Sequence, residues 1–124
     1  MSDETPAGIV RRADGPARQK IGAATNTEMQ VLLGEQDRVP HFAMRRFIMG
    51  EAGGMPRHTN TVEHEQYVLC GRARVSIGND VHEVEAGTVV YIPAGVPHDY
   101  QVLEAPFEFL CLVPNKDDVV ELCD

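Results

Sequence analysis

From residue 29 onward, apolar and polar side chains alternate in short runs rather than recurring every three or four positions. Such a period turns one face of each run inward and the other to water, the pattern of half-buried β-strands. The runs predict strands over residues 29–33, 42–49, 65–70, 73–77, 81–84, 88–92, 98–103 and 107–113. Turn chemistry stands between them: Gly34-Glu35, Gly53-Gly54, Cys70-Gly71, Gly78-Asn79-Asp80, Ala86-Gly87 and Ala94-Gly95. Gly78-Asn79-Asp80, flanked by two alternating runs, predicts a hairpin. Many short strands without a helical period predict an all-β antiparallel sandwich or barrel.

The body spans residues 29–114, with an irregular arm over 1–28 and an acidic tail over 115–124. A short strand is expected in the arm at Ile9-Val10-Arg11. The tail is expected to be a solvated end, with a helical turn or a strand at Val119-Val120 as options.

Composition narrows the picture. With 124 residues, 43% of them hydrophobic, the chain can bury one core and no second domain. Its 11 Lys and Arg against 19 Asp and Glu leave a net charge of −8, which repels phosphate backbones and anionic membranes. No nucleic-acid or membrane partner is expected. The apolar runs are short and no basic start precedes an apolar block, so the expectation is a soluble cytoplasmic protein. Cys70, Cys111 and Cys123 form no C-x-x-C pair. The first two are expected as small core residues within strands, the third as inert in the tail.

Three of the five histidines draw attention by their place in this pattern. His58 and Asn60 are two apart and share a strand face. His64 opens the next strand, and His98 follows the rigid turn Pro93-Ala94-Gly95-Val96-Pro97. If these segments neighbour each other, their imidazoles converge inside a barrel, a nitrogen-rich setting suited to Mn²⁺, Fe²⁺, Zn²⁺ or Ni²⁺. His41 and His82 lie outside this pattern and are expected at the surface.

Two stretches carry a family resemblance. Ala52, five residues, His58-Thr59-Asn60, three residues, His64, six residues and Gly71 follow the frame of one motif. Gly87, five residues, Pro93-Ala94-Gly95, two residues, His98, three residues and Val102 follow a second. Together they resemble the two signature motifs of the cupins. The second departs only at Val102, where the motif has Asn. The first has Ala52 for Gly, Asn60 for the second His, and His64 for Glu. Histidine in place of that Glu, within Glu63-His64-Glu65, is similar to small single-domain cupins with an all-histidine site. The likeness runs from about Val39 to Pro114. It implies a jelly-roll barrel, His58, His64 and His98 as metal ligands, Asn60 at the fourth position, and a homodimer. It also implies one divalent transition metal, Mn or Fe by preference, Zn or Ni otherwise.

Alternation adds neighbours to this set. Gln66 shares the face of His64, and Tyr100 that of His98, so both are candidates to contact a ligand or substrate. Glu63 and Glu65 should face solvent. Adjacent Arg45 and Arg46 should face opposite sides of their strand; surface or interface ion pairs are the expected role, and a pocket-facing Arg would suit an anionic substrate. Met44, Met49 and Met55 are expected in the core or pocket wall.

Three histidines leave coordination positions open, as a catalytic metal requires. One reading is an oxygenase-type oxidoreductase acting on a small enolisable or thiol compound. Another is a Lewis-acid isomerase or lyase on a small keto or sugar acid. The third is a non-catalytic module that binds a small molecule in the barrel mouth. An edge strand and an arm without its own core also need covering, and pairing with a second copy would do this.

Overall fold

In the computed structural model, which describes residues 4–123, eight antiparallel strands carry the chain. They are β1 (Gln19–Lys20), β2 (Thr25–Leu33), β3 (Phe42–Asn60), β4 (His64–Ile77), β5 (Asp80–Glu85), β6 (Val89–Ile92), β7 (His98–Pro114) and β8 (Val120–Leu122). They run in the order β1-β2-β3-β7-β4-β5, with β6 also on β4 and β8 also on β3. The result is the expected all-β jelly-roll barrel. The first three residues of the arm and the last of the tail lie outside the described residues. Among those described, no helix is long and apolar enough to cross a membrane.

Two expected turns and one gap between runs are bends within strands. The runs at 65–70 and 73–77 form one strand, β4, as do those at 98–103 and 107–113 in β7; β3 continues through Gly53-Gly54. Glycine explains the continuity at Cys70-Gly71. Gly71 takes φ +78°, and a Cβ there would lie 2.2 Å from the Pro106 carbonyl oxygen. Only a bare backbone lets β4 shift register against β7 and carry on. The length of β3 and β7 matters for the site, because their pairing runs from Phe42↔Pro114 to His58↔His98.

The alternation reads out directly in burial. Along β4, His64, Gln66 and Val68 are buried while Glu65, Tyr67 and Leu69 are exposed. Inward residues of β3 and β7 meet in an aromatic stack: Phe47 lies on Phe109 at 5.0 Å, and Tyr100 on the other flank of Phe109 at 5.3 Å. Burying side chains of this size stabilises the barrel by about 1.5–3 kcal/mol each. They form one floor beneath the histidines.

The arm departs from expectation. No strand forms at Ile9-Val10-Arg11, where Val10 is fully exposed; the arm strand is β1, paired with β2. Gln30 holds the arm by donating from Nε2 to the carbonyls of Ala13 and Pro16. The tail takes the strand option at Val119-Val120, beginning at Val120. It returns as β8 alongside His58, Thr59 and Asn60 of β3.

Candidate functional site

The i, i+2 rule brings the polar inward residues together. His58 and Asn60 come from β3, His64 and Gln66 from β4, His98 and Tyr100 from β7, and each is at least 93% buried. They line a cavity of about 190 Å³, with apolar walls that include Phe47, Met55 and Phe109. The arm contributes Ile21 and Ala24 to this lining, and the tail Asp118 and Leu122. The rings of His58 and His98 lie 4.2 Å apart, and those of His64 and His98 5.8 Å.

Hydrogen bonds fix the tautomers of two rings. His58 Nδ1 is 2.7 Å from the Pro56 carbonyl and His98 Nδ1 is 2.9 Å from that of Val96. A carbonyl only accepts, so each Nδ1 carries the proton and Nε2 is left with a lone pair. His64 differs. Its Nδ1 faces Cys111 Sγ at 3.2 Å and Arg45 Nη2 at 3.4 Å, while its Nε2 is buried without a partner. Asn60 donates from Nδ2 to Asp118 Oδ2 at 2.7 Å; because a carboxylate only accepts, this contact orients the amide. Asn60 Oδ1 is left buried and unpartnered. Such orphaned atoms are rare in folded proteins and ask for a reason.

Burial keeps four titratable groups of the site uncharged. Burial, helped by the Arg45 cation, holds His64 down to about 3. Burial also holds His98 down to about 4, against the opposing pull of the Val96 hydrogen bond. Burial pushes the Tyr100 phenol and the Cys111 thiol up, so both stay protonated at neutral pH. Gln66 Nε2 donates to the Tyr100 oxygen at 2.7 Å. The phenol proton therefore points away from that amide.

The structure thus gathers His58, Asn60, His64, Gln66, His98 and Tyr100 around one cavity. Glu63 and Glu65 face solvent, and His41 and His82 are exposed. Among the described residues, no group of three or more His, Cys, Asp or Glu side chains forms a ready cluster for a metal ion. Three pocket residues lie outside the expected set of ligands and contacts, Arg45 by the less favoured of its two options. Cys111 is buried as foreseen, yet it touches His64 instead of only filling the core. Arg45 lines the cavity instead of pairing at the surface, while Arg46 on the opposite face takes the expected ion pair, with Glu108. Strand parity could have found both, since Arg45 shares the side of Phe47 and Cys111 that of Phe109. Nothing local in the tail points to Asp118.

Comparison with known proteins decides the family: the cupin domain family matches residues 45–113, more than half of the chain. The chain belongs to the cupin family. Within it, this cupin is similar in structure to the polyketide cyclase RemF from Streptomyces resistomycificus, with a TM-score of 0.83 and 24% identity over 94% of this chain and 87% of that one. It is also similar to a predicted oxalate decarboxylase from Thermotoga maritima, with a TM-score of 0.75 and 18% identity over 87% of this cupin and 100% of that chain. A protein of Streptomyces coelicolor, described as uncharacterised, is 44% identical over 34 residues, which is 27% of this cupin and 32% of that protein. The cupin therefore spans about a third of the length of that curated relative.

Proposed function

We propose that this cupin is a metal-dependent enzyme of the oxygenase type, acting on a small enolisable compound. His58, His64 and His98 would hold one divalent transition metal, Mn or Fe by preference, with Asn60 Oδ1 at the fourth position. The observation that carries the reading is the pair of buried orphan atoms, His64 Nε2 and Asn60 Oδ1, in one cavity with two imidazoles whose Nδ1 atoms are already committed. Neutral imidazole and amide oxygen donors fit a borderline divalent ion. When bound, such an ion supplies Lewis acidity and a redox couple beside the substrate.

The chain's own residues supply the rest. Phe47, Met55 and Phe109 give the cavity apolar walls, and its volume suits small ligands. Tyr100, protonated and anchored by Gln66, offers its hydroxyl as a hydrogen-bond donor to a ligand oxygen. Asp118, the carboxylate lining the pocket, already accepts from Asn60 and from Thr61. A Lewis-acid isomerase or lyase would need a free base here, and that favours the oxygenase reading. The neighbours described as a cyclase and a predicted decarboxylase support an enzyme on this barrel.

The test is metal analysis of the purified protein, followed by oxygen uptake against a panel of small enolisable compounds. Stoichiometric Mn or Fe, lost in His58→Ala, His64→Ala and His98→Ala, is expected. Wild-type protein that retains no divalent metal after purification in metal-supplemented medium would overturn the reading.

The proposal includes a homodimer. Tyr67, Val89 and Tyr91 project from the outer face of β4 and β6 at 51%, 72% and 56% exposure, and aromatic side chains of this kind are enriched where chains meet. Light scattering is expected to give twice the chain mass. A monomer at micromolar concentration would refute it.

A further inference from the structure

We infer that Arg45 is an anion-binding group in the cavity, and that the substrate enters with a carboxylate or enolate oxygen aimed at its guanidinium. This rests on the cavity being the substrate site, as proposed above, and narrows the substrate to a small anion with an apolar body.

Arg45 lacks a charged partner among the described residues. It lines the cavity next to Phe47, His64 and Cys111. Its Nη2 reaches only His64 Nδ1 at 3.4 Å and Cys111 Sγ at 3.6 Å, two uncharged partners. Its Nε is buried with no partner, and its Cζ sits 5.2 Å from the centre of the Phe47 ring. Among the described residues Arg45 makes no ion pair. Other arginines do: Arg46 with Glu108, Arg57 with Asp99, and Arg72 with Glu83 and Glu104. Carboxylates are not scarce in a chain of net charge −8. Asp118, the acid that lines the same cavity, is spent on Asn60 and Thr61.

A guanidinium does not shed its proton, so it cannot escape burial by turning neutral. A partly buried cation without a counter-charge is costly, and an anionic ligand is the natural compensation. The planar fork presents parallel N–H groups that match the two oxygens of a carboxylate or of an enolate beside a second oxygen. The aromatic floor and the cavity of about 190 Å³ limit the remainder of the ligand to a ring or a short chain. A substrate that arrives as an enolate also needs no base, in keeping with a pocket whose carboxylate is occupied.

The test uses the full-length protein as purified, with benzoate as the probe and benzamide as its uncharged counterpart, by calorimetric titration. Wild type is expected to bind benzoate about tenfold or more tighter than benzamide, the scale of one charge-assisted contact. Arg45→Gln and Arg45→Met, each checked for folding by circular dichroism, are expected to remove that preference while keeping the wild-type metal content. Equal affinities in wild type would overturn the inference. So would a benzoate preference that survives in either folded variant, because the anion would then sit on something other than Arg45. Metal content is measured on every sample. Absence of metal in wild type would sink the proposed function alone, whereas the benzoate preference decides Arg45 independently.

Discussion

His64 rests its Nδ1 on the Cys111 sulfur at 3.2 Å, whereas His58 and His98 rest theirs on backbone carbonyls. The difference decides which nitrogen of His64 carries the proton. With the sulfur as acceptor, Nδ1 is protonated and Nε2 keeps its lone pair. With Arg45 as donor to Nδ1, the proton moves to Nε2 and that atom no longer binds a cation. Cys111→Ala removes the sulfur and leaves Arg45 as the neighbour of Nδ1. It is expected to lower metal retention at least tenfold in chelator competition, the scale of losing a partner behind a ligand. Cys111→Ser, which keeps an acceptor, is expected to retain more metal than Cys111→Ala. Equal retention in wild type and Cys111→Ala would show that the sulfur does not set the tautomer.

Asp118 plays the corresponding role for Asn60. Its Oδ2 takes the amide N–H₂ and so keeps Oδ1 toward the orphaned position. Asp118→Ala frees the amide to rotate and is expected to weaken metal binding by about 10- to 100-fold. Asn60→His puts a stronger donor at the same place and is expected to tighten it. Dissociation constants from competition with a chromogenic chelator check both. A variant Asp118→Ala with unchanged affinity would mean that Asn60 takes no part in the site.

How far these residues were legible in the sequence follows from strand geometry. Period two announced the fold and put His58 with Asn60, His64 with Gln66, and His98 with Tyr100 on shared faces, which is where they lie. Parity is a local property, and it needs no knowledge of neighbours. What it does not carry is where strands end and what comes near in space. Gly71 and Gly53-Gly54 look like turns because glycine serves turns and bulges alike; the Pro106 carbonyl against Gly71 makes one a bulge, and that carbonyl is 35 residues away in sequence. Asp118 meets Asn60 only because the tail folds back as β8. Arg45 was within reach of parity, since it shares the inward side of Phe47, while Arg46 on the other side pairs with Glu108.

The motif departure at Ala52 has an energetic consequence. Ala52 adopts φ +56°, in the left-handed region where a Cβ crowds the backbone, at the position where the cupin motif has glycine. Ala52→Gly relieves that crowding and is expected to stabilise the protein by about 1 kcal/mol, less the extra freedom glycine gains when unfolded. Melting should rise by a few degrees with metal content unchanged, because Ala52 is exposed and outside the cavity lining. A fall in melting temperature would show that the backbone here carries no strain.

Acid should act on the fold through the same histidines. Burial is the leading cause that holds His64 down to about 3 and His98 down to about 4, while both return to about 6.5 when the chain unfolds. Between those values the unfolded chain binds protons that the folded chain refuses. Stability therefore rises with pH across this window and is lost as pH falls below about 6.5. A pH of 5 lies about 1.5 units below the unfolded value, which corresponds to a loss of about 2 kcal/mol for each histidine. Melting curves from pH 7 to 4 are expected to show this decline, and the slope should flatten in His64→Gln and His98→Gln, which have nothing to protonate. The same burial protects a bound cation. Free imidazole ligands would begin to lose a metal to protons near pH 6, but these rings resist protonation until the fold itself weakens. Metal release and unfolding are thus expected to coincide on acidification, measured as metal content after dialysis beside each melting curve. Release that is complete at a pH where the melting temperature has not moved would mean that the ion is held by groups other than these buried histidines.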